Sequence, residues 1–309
     1  MKPKVLLIVG PTAVGKTALS LELAQRFNGE VISGDSMQVY RHLDIGTAKA
    51  TPEEQQVVPH HLIDIVDVTE RYSVAGFMHQ ATRQITAITA RGHLPLLVGG
   101  TGFYLQALLD NLTLGNDHYT DDTLRRKWHT YAEEHGRQAL WNRLNDVDPP
   151  AAAKIPPNNE RRVVRALEVY ERTGKRFSAQ QANAAPFDPY IIGLTTARDV
   201  LYARINARVD AMVEAGLVDE ARWLYEQGGA ALPAGKGIGY KELYPYFAGQ
   251  ISLEDAVALV KRNSRRYAKR QLTWFRNQMT VHWYDLVAHP EQQHQIETDV
   301  NQWLQDGVK

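Results

Sequence analysis

Val5-Leu-Leu-Ile-Val9, followed at once by Gly10-Pro-Thr-Ala-Val-Gly-Lys16-Thr17, is the stretch on which the reading of this chain turns. Five consecutive aliphatic residues read as a parallel strand buried on both faces. Beyond the turn, apolar residues recur at Leu19, Leu23 and Phe27, a helical spacing. Between strand and helix, residues 10–17 fit the phosphate-binding pattern of Gly, four residues, Gly-Lys-Thr, in the position that pattern requires. The glycines let the run Gly10, Pro11, Thr12, Ala13, Val14 and Gly15 curl so that several N–H groups and the positive helix end face one anion. Lys16 adds a full charge, and the Thr17 hydroxyl is placed to ligate a Mg²⁺ that the phosphates also bind. The loop points to a phosphorylated ligand without saying which.

Working outward, Val31-Ile-Ser33 reads as a second strand, Leu62-Ile-Asp-Ile-Val66 as a third and Val74 to Arg91 as a helix. Leu94 to Val98 is a fourth strand, ending in Gly99-Gly-Thr-Gly102. This alternation predicts an α/β fold: a P-loop NTPase-like parallel sheet flanked by helices, with its ligand site at the carboxyl ends of the strands. From about Asn116 to Pro189 the periodicity is helical, which predicts a helical insertion domain over 116–189 within a core formed by 1–115 and 190–309. Tyr190-Ile-Ile-Gly-Leu194 returns as a core strand, and a helical C-terminal region follows from Asp199.

Composition narrows the chemistry. At 309 residues the chain exceeds what one hydrophobic core usually serves, in keeping with a core plus an insertion. It has no cysteine, which excludes disulfides, Cys-ligated zinc, iron–sulfur clusters and thiol nucleophiles. Its longest apolar runs fall far short of the roughly 20 residues of a membrane span, and Lys2 and Lys4 precede too short a run for a signal peptide. A cytoplasmic monomer with no membrane partner is expected. Lys plus Arg equals Asp plus Glu at 35 each, which argues against a protein that coats nucleic acid indiscriminately.

That balance is uneven along the chain. Ala256 to Tyr284 holds Lys261, Arg262, Arg265, Arg266, Lys269, Arg270 and Arg276 and no acid, a local charge of +7 set against −7 elsewhere. At about 100° per residue all seven fall within roughly half a turn of a helix, opposite Val257, Val260, Tyr267, Ala268, Trp274 and Phe275. One face docks and the other is a basic stripe. A merely solvated stripe is usually relieved by interspersed Glu, so a polyanion ligand is the reading favoured here. Arg161, Arg162 and Arg165 make a second cluster in the insertion.

Asp35 ends the second strand and is expected beside the phosphate loop, either as a turn former or as an acid acting in the cleft. Thr101, at the end of the fourth strand, converges on the same crevice. Arg208 stands one helical turn from Arg204, a spacing that also suits a salt-bridged surface helix. His60 and His61 point to opposite faces of a strand and are read as structural.

Together, Gly-Pro-Thr-Ala-Val-Gly-Lys-Thr at 10–17, Asp-Ser-Met-Gln-Val-Tyr at 35–40, Asp-Ile-Gly-Thr-Ala-Lys at 44–49 and Pro-His-His-Leu-Ile-Asp at 59–64 resemble the tRNA dimethylallyltransferase (isopentenyltransferase) family. Gly-Gly-Thr-Gly at 99–102, Arg-Ala-Leu-Glu at 165–168 and Gly-Tyr-Lys-Glu at 239–242 extend the likeness nearly end to end. The resemblance implies transfer of a dimethylallyl group from dimethylallyl diphosphate to the exocyclic amine of the adenosine 3′-adjacent to a tRNA anticodon. It also accounts for the lack of a triphosphatase acid after the fourth strand, since the leaving group is pyrophosphate. By the same resemblance the phosphate loop, Lys16, Arg208 and a Mg²⁺ on Thr17 hold the diphosphate, Asp35 is the base and Thr101 orients the amine. The tRNA anticodon stem-loop is expected on Asp35, Ser36, Met37, Gln38 and Thr101, on Asn159, Glu160, Arg161, Arg162 and Val163, and on the basic stripe. The residues alone leave open an adenylate isopentenyltransferase, an ATP-dependent small-molecule kinase built on the same loop, and a nucleotide-regulated RNA-binding switch.

Overall fold

The computed structural model describes residues 2–112, 123–179 and 184–306. The chain divides into two compact units, Met1–Leu109 with Pro186–Lys309, and Asp110–Ala185. In chain order the first unit opens with β1 (Lys4–Val9), α1 (Lys16–Arg26), β2 (Gly29–Ser33), α2 (Pro52–Val57), β3 (His60–His61), α3 (Val74–Ala90), β4 (Leu94–Gly99) and α4 (Gly102–Leu109). The second unit holds α5 (Thr123–His135), α6 (Arg137–Val147), α7 (Pro149–Lys154) and α8 (Glu160–Thr173). The first resumes with β5 (Asp188–Leu194), α9 (Arg198–Glu214), α10 (Leu217–Glu226), α11 (Tyr244–Phe247), α12 (Leu253–Gln278), β6 (His282–Tyr284) and α13 (Gln292–Gln305). Residues 116–122 and 180–183 of the expected insertion lie outside the described residues.

The six strands form one sheet in the order β3-β2-β4-β1-β5-β6, and every pair is parallel. β1 sits between β4 and β5, and its period-2 alternation feeds two cores. Leu6 and Ile8 pack with Leu19, Leu23 and Leu201 on one face. Val5, Leu7 and Val9 pack with Phe77, Ile85 and Phe275 on the other. Each such buried aliphatic side chain is worth about 2 kcal/mol of transfer from water, which is why the aliphatic run at Val5 becomes a central strand. Helices cover both faces, as the alternation of elements predicts.

The third strand is displaced from its predicted place. It occupies His60–His61, paired with Val31 and Ile32, whereas Leu62 and Asp64 take φ of 62° and 54°. A left-handed backbone cannot continue a strand, and here it turns the Asp64 carboxylate onto Lys49 Nζ at 2.5 Å. Leu62 and Ile65 serve as core plugs beneath the loop, so their apolar character was legible but their conformation was not. β6 is an addition, three residues pairing with β5, too short to show a period in the sequence.

A third core carries the segment that follows Asp35. Val39, Tyr40 and Leu43 pack with Leu217, Leu224 and Tyr240. The Glu220 carboxylate accepts the N–H groups of Asp44, Ile45 and Gly46 at 2.8, 2.9 and 2.9 Å, and the Tyr240 hydroxyl donates to it at 2.7 Å. Buried Lys49 donates to the Tyr40 carbonyl, Asp44 and Asp64. The motifs at 44–49, 59–64 and 239–242 thus meet as a scaffold. In the second unit Trp128, Leu140, Leu144, Ile155, Val163 and Leu167 form a separate core.

Candidate active site

The site grows from three turns at the carboxyl end of the sheet. β2 and β4 leave the sheet so close together that a Cβ on Gly99 would lie 2.4 Å from the Gly34 backbone, so only glycine fits there. Gly34 N–H donates to the Val98 carbonyl at 2.7 Å. This approach sets Thr101 against the Asp35 turn, where Thr101 Oγ1 accepts the Ser36 N–H at 3.0 Å. Asp35 Oδ1 accepts the Met37 N–H at 2.8 Å, an Asx-type turn that fixes the carboxylate.

β4 separates β2 from β1, yet the Asp35 turn reaches across the β4 tip to the phosphate loop. Burial raises the Asp35 pKa above the usual carboxylate value, while the Met37 N–H and the charges of Lys16 and Arg208 pull it back. Burial, then the charge of Arg208, lowers Lys16 to about 8, with Asp35 opposing. Burial and then Arg204 lower the guanidinium of Arg208. Lys16 Nζ rests on the carbonyls of Gly10 and Pro11 at 3.1 and 2.7 Å. One anionic and two cationic groups therefore share a half-buried cleft, where each is worth more than at an open surface. α9 supplies Arg208 and also Arg204, whose Nε donates to the Ala13 carbonyl at 2.9 Å and braces the loop from its far side.

α12 contributes what the sequence reading missed. Gln271 is buried and bridges two turns: its Oε1 accepts the Thr12 N–H and its Nε2 donates to the Gly100 carbonyl, each at 3.0 Å. Tyr267 lies one turn earlier, its hydroxyl pushed up by burial and by Asp35, with Thr101 and Gln271 as neighbours. A signal existed for Gln271. It projects on the same side of the helix as Val260 and Phe275, and a lone amide on a docking face asks for partners.

The outer face of α12 is less uniform than its sequence. Lys261 pairs with Asp210 of α9 at 2.5 Å, and Arg265 donates to Asn206 at 2.6 Å. The relief that the acid-free window lacks in sequence comes from a neighbouring helix. Arg262, Arg266, Lys269, Arg270 and Arg276 are exposed and have no ion pair among the described residues. In the second unit Arg161 and Arg162 are exposed in the same way. Val163 is 0% exposed and belongs to that unit's core, so its side chain is not available to RNA, contrary to expectation. Glu160 is held by His129 at 2.8 Å and Arg137 at 3.0 Å.

His60 and His61 are structural, His60 bonded to the Val58 carbonyl and His61 to Glu30. Glu30 is buried, and despite that burial its Arg91, His61 and His93 partners hold it at about 2. No described group of three or more His, Asp or Glu side chains could hold a metal. No described helix is long and apolar enough to cross a membrane.

A parallel sheet, a Gly-Lys-Thr loop between β1 and α1, and a half-buried carboxylate facing that loop's lysine define a phosphate-loop transferase. The comparisons narrow the class. The family model described as IPP transferase matches residues 38–278, most of the chain, beginning just after the phosphate loop and Asp35. The chain belongs to this IPP transferase family. A Limosilactobacillus fermentum protein named tRNA dimethylallyltransferase is 62% identical over 303 residues, covering 97% of this chain and 99% of that one. A Latilactobacillus sakei protein of the same name is 58% identical over 307 residues, 98% and 99% of the two chains. The solved full-length tRNA isopentenylpyrophosphate transferase of Bacillus halodurans superposes with a TM-score of 0.75 at 51% identity, covering 99% of this chain and 98% of that one. A eukaryotic dimethylallyltransferase solved while acting on tRNA gives 0.83 at 33% identity, covering 98% and 80%.

Proposed function

We propose that this chain transfers a dimethylallyl group from dimethylallyl diphosphate to the exocyclic N6 amine of the adenosine 3′-adjacent to the anticodon of a tRNA. The observation that carries the reading is the single cleft in which Asp35, Lys16, Arg208 and Thr101 converge. The phosphate loop's N–H groups, Lys16 and Arg208 bind the diphosphate and neutralise the charge that develops as the carbon–oxygen bond breaks. Lys16, now resting on loop carbonyls, turns to the phosphate, whose charge favours the protonated form that burial disfavours. An exocyclic adenine amine is a poor nucleophile. Asp35, with its raised pKa, accepts the proton that the nitrogen loses as the new carbon–nitrogen bond forms. Thr101, anchored through Ser36, orients the amine.

Mg²⁺ suits the donor set. The Thr17 hydroxyl makes no hydrogen bond among the described residues, and hard oxygen donors shared with phosphates are what that ion prefers. When bound, it would offset leaving-group charge. The target base must leave its stack to reach the cleft, at a cost of a few kcal/mol. Exposed cations of α12, together with Arg161 and Arg162 in the helical insertion, supply phosphate contacts to offset it. The test is to incubate the protein with dimethylallyl diphosphate and unmodified tRNA, digest, and look by mass spectrometry for isopentenyl adenosine in the anticodon loop. Product on free adenylate alone, or phosphoryl transfer from ATP to a metabolite in place of prenylation, overturns the reading.

A further inference from the structure

We infer that Phe103 and Trp274 form a stacking seat for the RNA base adjacent to the extruded adenosine, an inference that rests on the tRNA-transfer reading above. Phe103 is 42% exposed, in the first turn of α4, one of few large apolar side chains left so open. Its ring stands edge-on to Trp274 of α12, centroids 6.3 Å apart at 82°. The indole is seated on Gly102: a Cβ there would come within 2.2 Å of Trp274 Cδ1, so glycine is what lets α12 approach the turn. The site thus has a fixed wall and an open ring face. Beside it runs a groove of about 550 Å³ whose lining includes Trp274, Arg266, Lys269 and Arg270.

Position selects the occupant. Thr101, the residue at the reactive amine, and Phe103 are two residues apart, at most about 7 Å of backbone. An RNA strand with its adenosine drawn into the cleft leaves the flanking nucleotide at that distance, unstacked on one face. An aromatic face bordered by cations is the chemistry of single-strand recognition: the base stacks and the backbone meets the charges. Arg266 and Lys269 have no ion pair among the described residues, so their charge is available to phosphate. An apolar peptide would leave these cations desolvated and unmatched.

The experiment uses the full chain, dimethylallyl diphosphate and a synthetic anticodon stem-loop. Absence of prenylation by the unaltered protein defeats the functional reading itself. With turnover established, Phe103→Leu should raise KM for the stem-loop about 10-fold, within the span expected for one lost stacking contact. The donor KM and kcat should stay within about twofold, and Phe103→Trp should restore RNA affinity. A stem-loop with an abasic nucleotide on one or other side of the target adenosine supplies the second arm of a double-mutant cycle. The unaltered protein should lose affinity for one abasic RNA, and Phe103→Leu should lose nothing further on it. An unchanged RNA KM in Phe103→Leu, or equal losses on intact and abasic RNA, overturns the inference, since a structural role for the ring would not depend on the neighbouring base.

Discussion

Two groups of cations, those around Glu168 in the insertion and those on the outer face of α12, have opposite fates. In the insertion, Glu168, only 1% exposed, gathers Arg125 at 2.9 Å, Arg165 at 3.0 Å and Arg172 at 3.7 Å. Glu171 takes Lys127 at 2.7 Å, and Glu160 takes Arg137 at 3.0 Å. In the core, Lys16 and Arg208 face Asp35 without an ion pair among the described residues, and the outer cations of α12 past Arg265 pair with no acid among the described residues. The difference teaches how to read charge. Cations gathered on a buried carboxylate join the insertion's helices, while cations on an outer helix face with no acid in reach stay available to a ligand.

The sharpest way to break this contrast is at Asp35. Asp35→Ala should lower kcat about 10²- to 10⁴-fold, the range of general-base catalysis, with RNA affinity by filter binding within about twofold. Equal loss of both would make Asp35 part of the RNA surface and erase the distinction between cleft and stripe. Lys16→Ala should cost about 10²- to 10³-fold in kcat/KM for the donor, the scale of one preorganised cationic contact to a developing charge. A pH titration sharpens it. Lys16 sits at about 8 in the free protein, and an anion prefers its protonated form, so pyrophosphate affinity measured by calorimetry should fall as pH rises through about 8. Lys16→Met should flatten that segment of the curve.

On the stripe, replacing Arg266 and Lys269 by Ala should weaken stem-loop binding and flatten its salt dependence without moving the melting temperature. For about five phosphate contacts to a single strand, the unaltered protein's affinity should drop roughly 10²-fold between 50 and 200 mM salt. The smallest effect belongs to the insertion's paired set. Glu168→Gln should destabilise by about 2 kcal/mol, below the full penalty for opening a buried pair because Arg125 and Arg165 keep some water. Its stem-loop affinity, measured where the protein is folded, should not change. A stripe variant that melts, or a Glu168 variant that stays stable, would undo the comparison.

Legibility followed range. The phosphate loop, β1 and β4 with their glycine turns, and α3 to within a residue could be read because strand, turn and helix signals are local. Asp35 and Thr101 were legible as residues at strand ends. The third strand failed because a short apolar run reads alike whether it pairs or plugs a loop, and the turn that carries Asp64 to buried Lys49 belongs to the loop. Arg165 reads as part of one basic cluster with Arg161 and Arg162, but the helix turns it onto Glu168. What Gln271 and Tyr267 reach was hidden by distance, since Thr12, Gly100 and Thr101 lie more than 150 residues upstream.

By itself, then, the sequence determined the glycine-rich turn between β1 and α1, the parallel sheet and the existence of one acid-free helical stretch, since each is written in consecutive residues or one helical period. Tertiary structure alone decided which charges are free, that Asp35 reaches Lys16 across the tip of an intervening strand, and that a basic helix closes the site with a glutamine on its inner face. Those depend on which side chains a fold brings together over long separations, and a carboxylate's neighbours, not its place in the chain, decide whether it pairs or accepts a proton.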